Sequence, residues 1–268
     1  MEVTKNRFKF AMQGGDVQYG AFLGLPDGSA AEIAAGTGFD WVLIDQEHGP
    51  FELSSVLRHL QVLAAYDVAP IVRAASGDPT LLKKLLDVGA QSLVIPMVDT
   101  AAQAEALVQA VRYPPQGIRG IGTSMARAAR WNQVPGYAHS ANEEICLIVQ
   151  AETSQAMANL DRILAVDGVD GVFIGPSDLS ASMGHVGNPG HPEVISAIDT
   201  ALQQISSAGK YAGVFCMAPD LAQHYIAQGA NFLAVGTDTM VLAQGLRELR
   251  DRFTGGTGQE PDEPQAGY

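Results

Sequence analysis

At 268 residues, 47% hydrophobic and 17% charged, the chain is long and apolar enough for a large core, and disorder is not its default. A formal net charge of −13 argues against a nucleic-acid or anionic-membrane partner, since both need a basic face. No run is apolar for long enough to span a bilayer, no apolar leader follows Met1, and Cys146 and Cys216 sit in apolar runs, so a cytoplasmic protein with buried thiols is expected.

Residues 6–14 read as a short helix, with Phe8, Phe10 and Met12 available to plug the bottom of a barrel. Residues 19–25 form the first strand, and Ser29 is expected to cap a helix over 30–37. Residues 39–48 form the second strand, ending in Asp45, Gln46, Glu47 and His48. Leu53, Val56, Leu57, Leu60 and Leu63 then recur at helical spacing. Strand, helix, strand and helix follow at 69–73, 79–88, 92–98 and 100–112. Residues 113–144 break the rhythm, and excursions of this length in compact domains are usually functional or contact another subunit.

Two strands, 145–152 and 171–178, are apolar runs of the kind buried on both faces, each ending in a carboxylate, with a helix expected over 154–166. A loop is expected over 179–189, a helix over 191–208, a strand over 211–216 and a helix over 219–228. The last strand and helix fall at 232–236 and 239–252. The Gly-, Pro- and acid-rich stretch 255–268 is expected to be disordered. Eight β/α units in this length predict one (β/α)8 barrel over residues 1–254. The competing doubly wound sheet needs a Gly-rich phosphate turn after the first strand, and Leu23-Gly-Leu-Pro26 is not one.

A barrel gathers the C-terminal ends of its strands into one mouth. Asp45, Glu47, His48, Arg73, Gln150, Glu152, Gly175, Asp178, Phe215 and Asp238 would meet there. Glu152 and Asp178 emerging side by side must share a proton, pair with a base or hold a cation, and a hard divalent metal is favoured. For either residue alone, capping a helix or turn is the simpler account, and it is the favoured one for Asp238. Arg73 fits an anion site or a structural ion pair, His48 a proton carrier or a surface histidine, and Phe215 a pocket wall. None of Lys5, Lys9, Lys83, Lys84 or Lys210 is placed for a Schiff base, so any enolate made here needs a metal.

The stretch Asp40-Trp-Val-Leu-Ile-Asp-Gln-Glu-His-Gly49 resembles the second-strand signature of the HpcH/HpaI aldolases. Arg73, Leu85-Leu-Asp-Val-Gly89, Ala128-Ala-Arg-Trp131, Gln150-Ala-Glu152 and Ile174-Gly-Pro-Ser-Asp-Leu179 match in the same order, so the likeness spans about residues 16–253. It implies a metal-dependent class II aldolase for pyruvate-type donors and aldehyde acceptors, with Mg²⁺, Mn²⁺ or Co²⁺ on Glu152 and Asp178. It implies Arg73 on the oxo-acid, His48 backed by Asp45 as acid/base, and the donor carboxylate near Gly175, Pro176 and Ser177. It also implies a hexamer, a trimer of dimers with the last helix exchanged, in which Asp87 reaches a neighbour's site. Gln46 departs from the family's small residue and bears on acceptor size. A β-hydroxyacyl-CoA lyase and a non-catalytic oxo-acid binding protein are the rival readings.

Overall fold

Eight apolar runs become parallel strands because each is covered on both faces, by the barrel interior on one side and by helices on the other. The computed structural model describes residues 2–254; the expected disordered stretch 255–268 lies outside the described residues. The strands are β1 (Gln18–Leu23), β2 (Trp41–Asp45), β3 (Ala69–Arg73), β4 (Ser92–Ile95), β5 (Cys146–Ala151), β6 (Gly171–Ile174), β7 (Tyr211–Phe215) and β8 (Phe232–Thr237). They pair in sequence order, and β8 returns to β1 to close a parallel barrel.

Helix α1 (Arg7–Gln13) precedes the barrel, and α2 (Gly28–Ala35), α3 (Leu53–Leu63), α4 (Pro79–Val88) and α5 (Ala101–Val111) follow the first four strands. The excursion holds only short pieces, among them α6 (Tyr137–Ser140). Between β5 and β6 lie α7 (Ser154–Ala158) and α8 (Leu160–Leu164). After β6 come α9 (Pro176–Ser182) and α10 (Pro192–Ser207), and α11 (Pro219–Ala227) and α12 (Asp238–Thr254) complete the described residues.

Four local expectations differ. The end of the strand expected over 171–178 and the start of the loop expected over 179–189 are helix α9 instead, because Pro176 opens a helical turn. The single helix over 154–166 is broken at Asn159, whose side-chain N–H donates to the Asp99 carbonyl at 2.8 Å. Asp27 rather than Ser29 caps α2, accepting the Ser29 N–H at 2.8 Å. Asp238 is the first residue of α12 and not its cap, since Thr237 Oγ1 accepts the Met240 N–H at 3.2 Å; the Asp238 carboxylate instead accepts the N–H groups of Gly24 and Leu25 at 2.7 and 3.1 Å and so ties down the turn after β1.

Alternate residues along each strand point inward. Phe22, Trp41, Leu43, Ile71, Ile148, Phe173 and Phe215 form the barrel interior with Phe232, and Phe8 and Met12 of α1 join them. The opposite parity, including Val42, Ile44, Val72, Val149, Val172 and Leu233, packs under the helices. Phe8 meets Trp41 and Phe232 edge-on, at 6.3 and 5.5 Å between centroids. Glycines make room for these rings: a Cβ on Gly20 would lie 2.1 Å from the Trp41 ring.

Gly20→Ala is therefore expected to force Trp41 aside and cost ~1–3 kcal/mol through overpacking. Thermal unfolding checks this, and an unchanged Tm would show slack in the interior.

Candidate active site

The parity that builds the interior also builds the mouth. On β2 the inward sequence after Leu43 continues to Asp45, and on β3 Ile71 leads to Arg73. On β5 Ile148 leads to Gln150 and then Glu152, while β6 passes from Phe173 to Gly175. β2 and β3 are in register at Asp45 and Arg73.

Arg73 donates from Nε to Asp45 Oδ1 at 2.8 Å and from Nη2 to Oδ2 at 2.7 Å. This bidentate grip fixes the plane of the guanidinium. Nη1 lies 3.0 Å from Glu47 Oε2. That contact lacks hydrogen-bond geometry, since this buried Oε2 has no hydrogen-bond donor. The guanidinium carbon also sits 5.0 Å from the Phe22 ring centre. Both Arg73 and Asp45 are buried.

Asp45 Oδ1 also accepts the backbone N–H groups of Glu47 and His48, at 3.1 and 3.4 Å. The carboxylate thus shapes the turn that carries His48, which is exposed at the rim.

Glu152 is 1% exposed. Its Oε1 accepts the Met97 N–H at 2.8 Å and its Oε2 accepts the Gln150 side-chain N–H. Burial pushes its carboxyl up to about 7, against the pull of the Gln150 and Met97 hydrogen bonds, and the charges of Glu47 and Asp178 push the same way as burial. Glu47 is raised as well, first by burial and then by Asp45 and Asp178, while Arg73 opposes. Gly175 has to lack a side chain, because a Cβ there would lie 2.6 Å from Glu152 Oε2.

Asp178 is not at a strand end, as the sequence suggested. β6 stops at Ile174, Pro176 opens α9, and Asp178 stands exposed in that helix's first turn. A helix is favoured there because proline suits its first position.

These residues fit a hard divalent cation. The donors are carboxylate oxygens, and Glu152 is held by neutral N–H groups rather than by a cationic side chain. Gln150 Oε1 is buried with no partner. A small cavity beside them is lined by Arg73, Gln150, Gly175, Pro176, Ser177 and Asp178, with Phe22, Phe173 and Phe215 as its apolar part.

Asp87 is elsewhere. It sits near the C-terminal end of α4, which leads back to the start of β4 and hence to the barrel end opposite the mouth. It accepts from Arg119 Nη2 at 2.8 Å, and that buried guanidinium lies 4.3 Å from the Tyr113 ring centre. Phe22 and Met97 are site residues that the sequence reading missed. The parity of β1 could have found Phe22. Nothing in the sequence marks Met97, a non-glycine residue held at φ 57.

The family described as HpcH/HpaI aldolase/citrate lyase is matched over residues 18–245. A hydroxypyruvate/pyruvate aldolase of Pseudomonas aeruginosa is 55% identical over 256 residues, 96% of each chain. A 4-hydroxy-2-oxo-heptane-1,7-dioate aldolase of Klebsiella pneumoniae is 54% identical over 249 residues, 93% of this chain and 94% of that one. The crystal structure of a family protein from Burkholderia cenocepacia superposes with a TM-score of 0.88 at 34% identity, covering 92% of this chain and 99% of that one.

The raised Glu152 carboxyl has a signed consequence for the metal-free protein. The unfolded chain loses this proton near the ordinary value of 4.5, the folded chain near 7, so folding stability falls as pH rises between the two. In chelator, Glu152→Gln should unfold at a higher temperature than the parent above pH 7, with the difference shrinking towards pH 4.5. Parallel pH profiles for the two proteins would contradict this.

Proposed function

The chain belongs to the HpcH/HpaI aldolase/citrate lyase family, and from that premise we propose that it is a metal-dependent aldehyde-lyase. It would cleave and form 4-hydroxy-2-oxo acids, with pyruvate or hydroxypyruvate as donor and an aldehyde as acceptor. The observation that carries this reading is the pairing of an immobilised guanidinium, Arg73 on Asp45, with the buried carboxylate Glu152 at one barrel mouth.

Glu152 and Asp178 would hold the cation, Mg²⁺, Mn²⁺ or Co²⁺, which when bound supplies positive charge to the donor's keto and carboxylate oxygens. The donor carboxylate would lie at Gly175, Pro176 and Ser177. Pro176 has no N–H, so main-chain donation to that carboxylate would come from the residues on either side of it. Gln150 orients Glu152, and Phe215 closes the apolar side of the cavity.

In cleavage, His48 takes the proton of the 4-hydroxyl. The bond between carbons three and four breaks, the aldehyde leaves, and its electron pair remains as the enolate of the donor. Arg73 donates to the oxygen that gains this charge. Protonation at carbon three then releases pyruvate or hydroxypyruvate, and addition runs the same steps in reverse. Gln46, at the turn beside Asp45, would limit the size of the acceptor.

The same reading includes a homo-hexamer, a trimer of dimers with α12 exchanged between subunits. Two features support it. None of the 17 residues of α12 is buried within the protomer, and Val241, Leu242, Leu246, Leu249 and Phe253 are exposed on it. Asp87, at the barrel end away from its own mouth, could act only on a neighbour's. No helix among the described residues is long and apolar enough to cross a membrane, and a cytoplasmic location is part of the proposal.

Chelator-stripped protein should lose cleavage of 4-hydroxy-2-oxo acids and regain it with Mg²⁺, Mn²⁺ or Co²⁺. Full activity in chelator would overturn the scheme. Arg73→Ala should lower kcat/KM by ~10²–10³-fold, the usual loss when a donor to a developing oxyanion is removed. Leu246→Glu should break the assembly into smaller species by light scattering, and an unchanged mass would remove α12 from the interface.

A further inference from the structure

A second cluster of metal-ligating side chains stands on the segment after α9 and the first turn of α10, outside the residues assigned to the mouth. The segment reads Gly184-His185-Val186-Gly187-Asn188-Pro189-Gly190-His191-Pro192-Glu193. It is closed on itself by main-chain hydrogen bonds. The His185 N–H reaches Ser180 O at 2.7 Å, Asn188 N–H reaches His185 O at 2.9 Å, and His191 N–H reaches Asn188 O at 3.1 Å. Gly184 and Gly187, at φ 88 and 73, supply the left-handed turns this path requires. Proline at 189 and 192 further limits the unfolded alternatives.

The result brings three donors of metal-ligand type together. The imidazoles of His185 and His191 stack with centroids 3.6 Å apart and planes 14° from parallel. Glu193 Oε2 lies 3.0 Å from His185 Nε2. One ligand atom from each of the three residues falls within 4.8 Å of the others, and among the described residues no other His, Cys, Asp or Glu triplet does so. The 3.0 Å contact between His185 Nε2 and Glu193 Oε2 needs a proton on Nε2, the place a metal ion would take.

Two imidazoles and a carboxylate with room for water suit a borderline ion rather than Mg²⁺. Bonds of about 2.0–2.1 Å in a tetrahedron set neighbouring ligand atoms roughly 3.3 Å apart. The His185–Glu193 pair is already near that spacing. Binding one ion also requires a ring to turn out of the stack, because the nitrogen lone pairs lie in ring planes only 14° from parallel; turning His191 gives up the long 3.3 Å bond that its Nδ1 accepts from the Glu193 N–H.

We propose that His185, His191 and Glu193 form a Zn²⁺-class metal site, distinct in residues and in chemistry from the oxygen pair Glu152 and Asp178. An ion there clips the segment after α9 to the first turn of α10. It also makes Zn²⁺ a ligand of this protein that need not occupy the reaction's own site.

The test uses the full-length, tag-free chain, stripped by chelator, with Zn²⁺ and Mg²⁺ as the probes. Equilibrium dialysis with elemental analysis is run on Glu152→Ala/Asp178→Ala, which lacks the oxygen pair. That variant should keep about one Zn²⁺ per chain and gain thermal stability from Zn²⁺ but not from Mg²⁺. Adding His185→Ala should remove both the bound ion and the stabilisation, and Glu193→Gln provides the same arm should His185→Ala fail to fold. His185→Ala in the otherwise unaltered chain should keep its Mg²⁺-supported turnover. Zn²⁺ retained at full stoichiometry after loss of His185 or Glu193, or no Zn²⁺ bound by the Glu152→Ala/Asp178→Ala protein, would overturn the proposal.

Discussion

A carboxylate taken out of water without a cationic side chain beside it is the constraint on which this mouth depends. Glu152 is 1% exposed and, among the described residues, accepts hydrogen bonds from the N–H groups of Met97 and Gln150. Glu47 and Asp178 add like charge to it, and the nearby guanidinium of Arg73 is already committed to Asp45. Four carboxylates, Asp45, Glu47, Glu152 and Asp178, thus face one arginine. Such a cluster either keeps protons on its buried members or takes up a cation. Taking up a cation is the state in which the surrounding geometry has a chemical use.

That geometry divides two tasks between neighbouring strands. β2 and β3 carry Asp45 and Arg73 in direct register, so the guanidinium is set by two hydrogen bonds and the face of Phe22 before any substrate arrives. β5 and β6 carry Glu152 and Gly175, and the missing side chain of Gly175 lets the carboxylate lie against the start of α9. Positive charge fixed in advance on one side, and oxygen ligands gathered on the other, suit a reaction whose difficulty is the charge left when a carbon–carbon bond parts. The aromatic interior below supports both tasks, because Phe22, Phe173 and Phe215 reach the cavity from the same inward rows that pack against α1.

Most of this was legible because a strand has a period of two. Once residues 39–48 and 69–73 are read as barrel strands, Leu43 and Ile71 in the core require Asp45 and Arg73 in the mouth. The same rule places Gln150, Glu152, Gly175 and Phe215. It fails where the chain leaves the strand. Asp178 was read as a strand-end residue, but Pro176 had already turned the backbone into α9. Met97 contributes through its main chain, in a conformation that no side-chain pattern announces. Asp87 is bound to Arg119, a partner 32 positions away in the irregular excursion, and pairing across such a distance leaves no local signal. The break at Asn159 coincides with a hydrogen bond to Asp99, which helical periodicity cannot register.

The most direct measurement is the position of manganese, by anomalous scattering, in crystals of this protein grown with Mn²⁺ and pyruvate. The cation is expected in direct contact with the carboxylates of Glu152 and Asp178, with the oxygens of pyruvate completing its coordination and Arg73 beside the keto oxygen. A manganese peak away from both carboxylates, or pyruvate ordered in the mouth with no manganese there, would contradict the account.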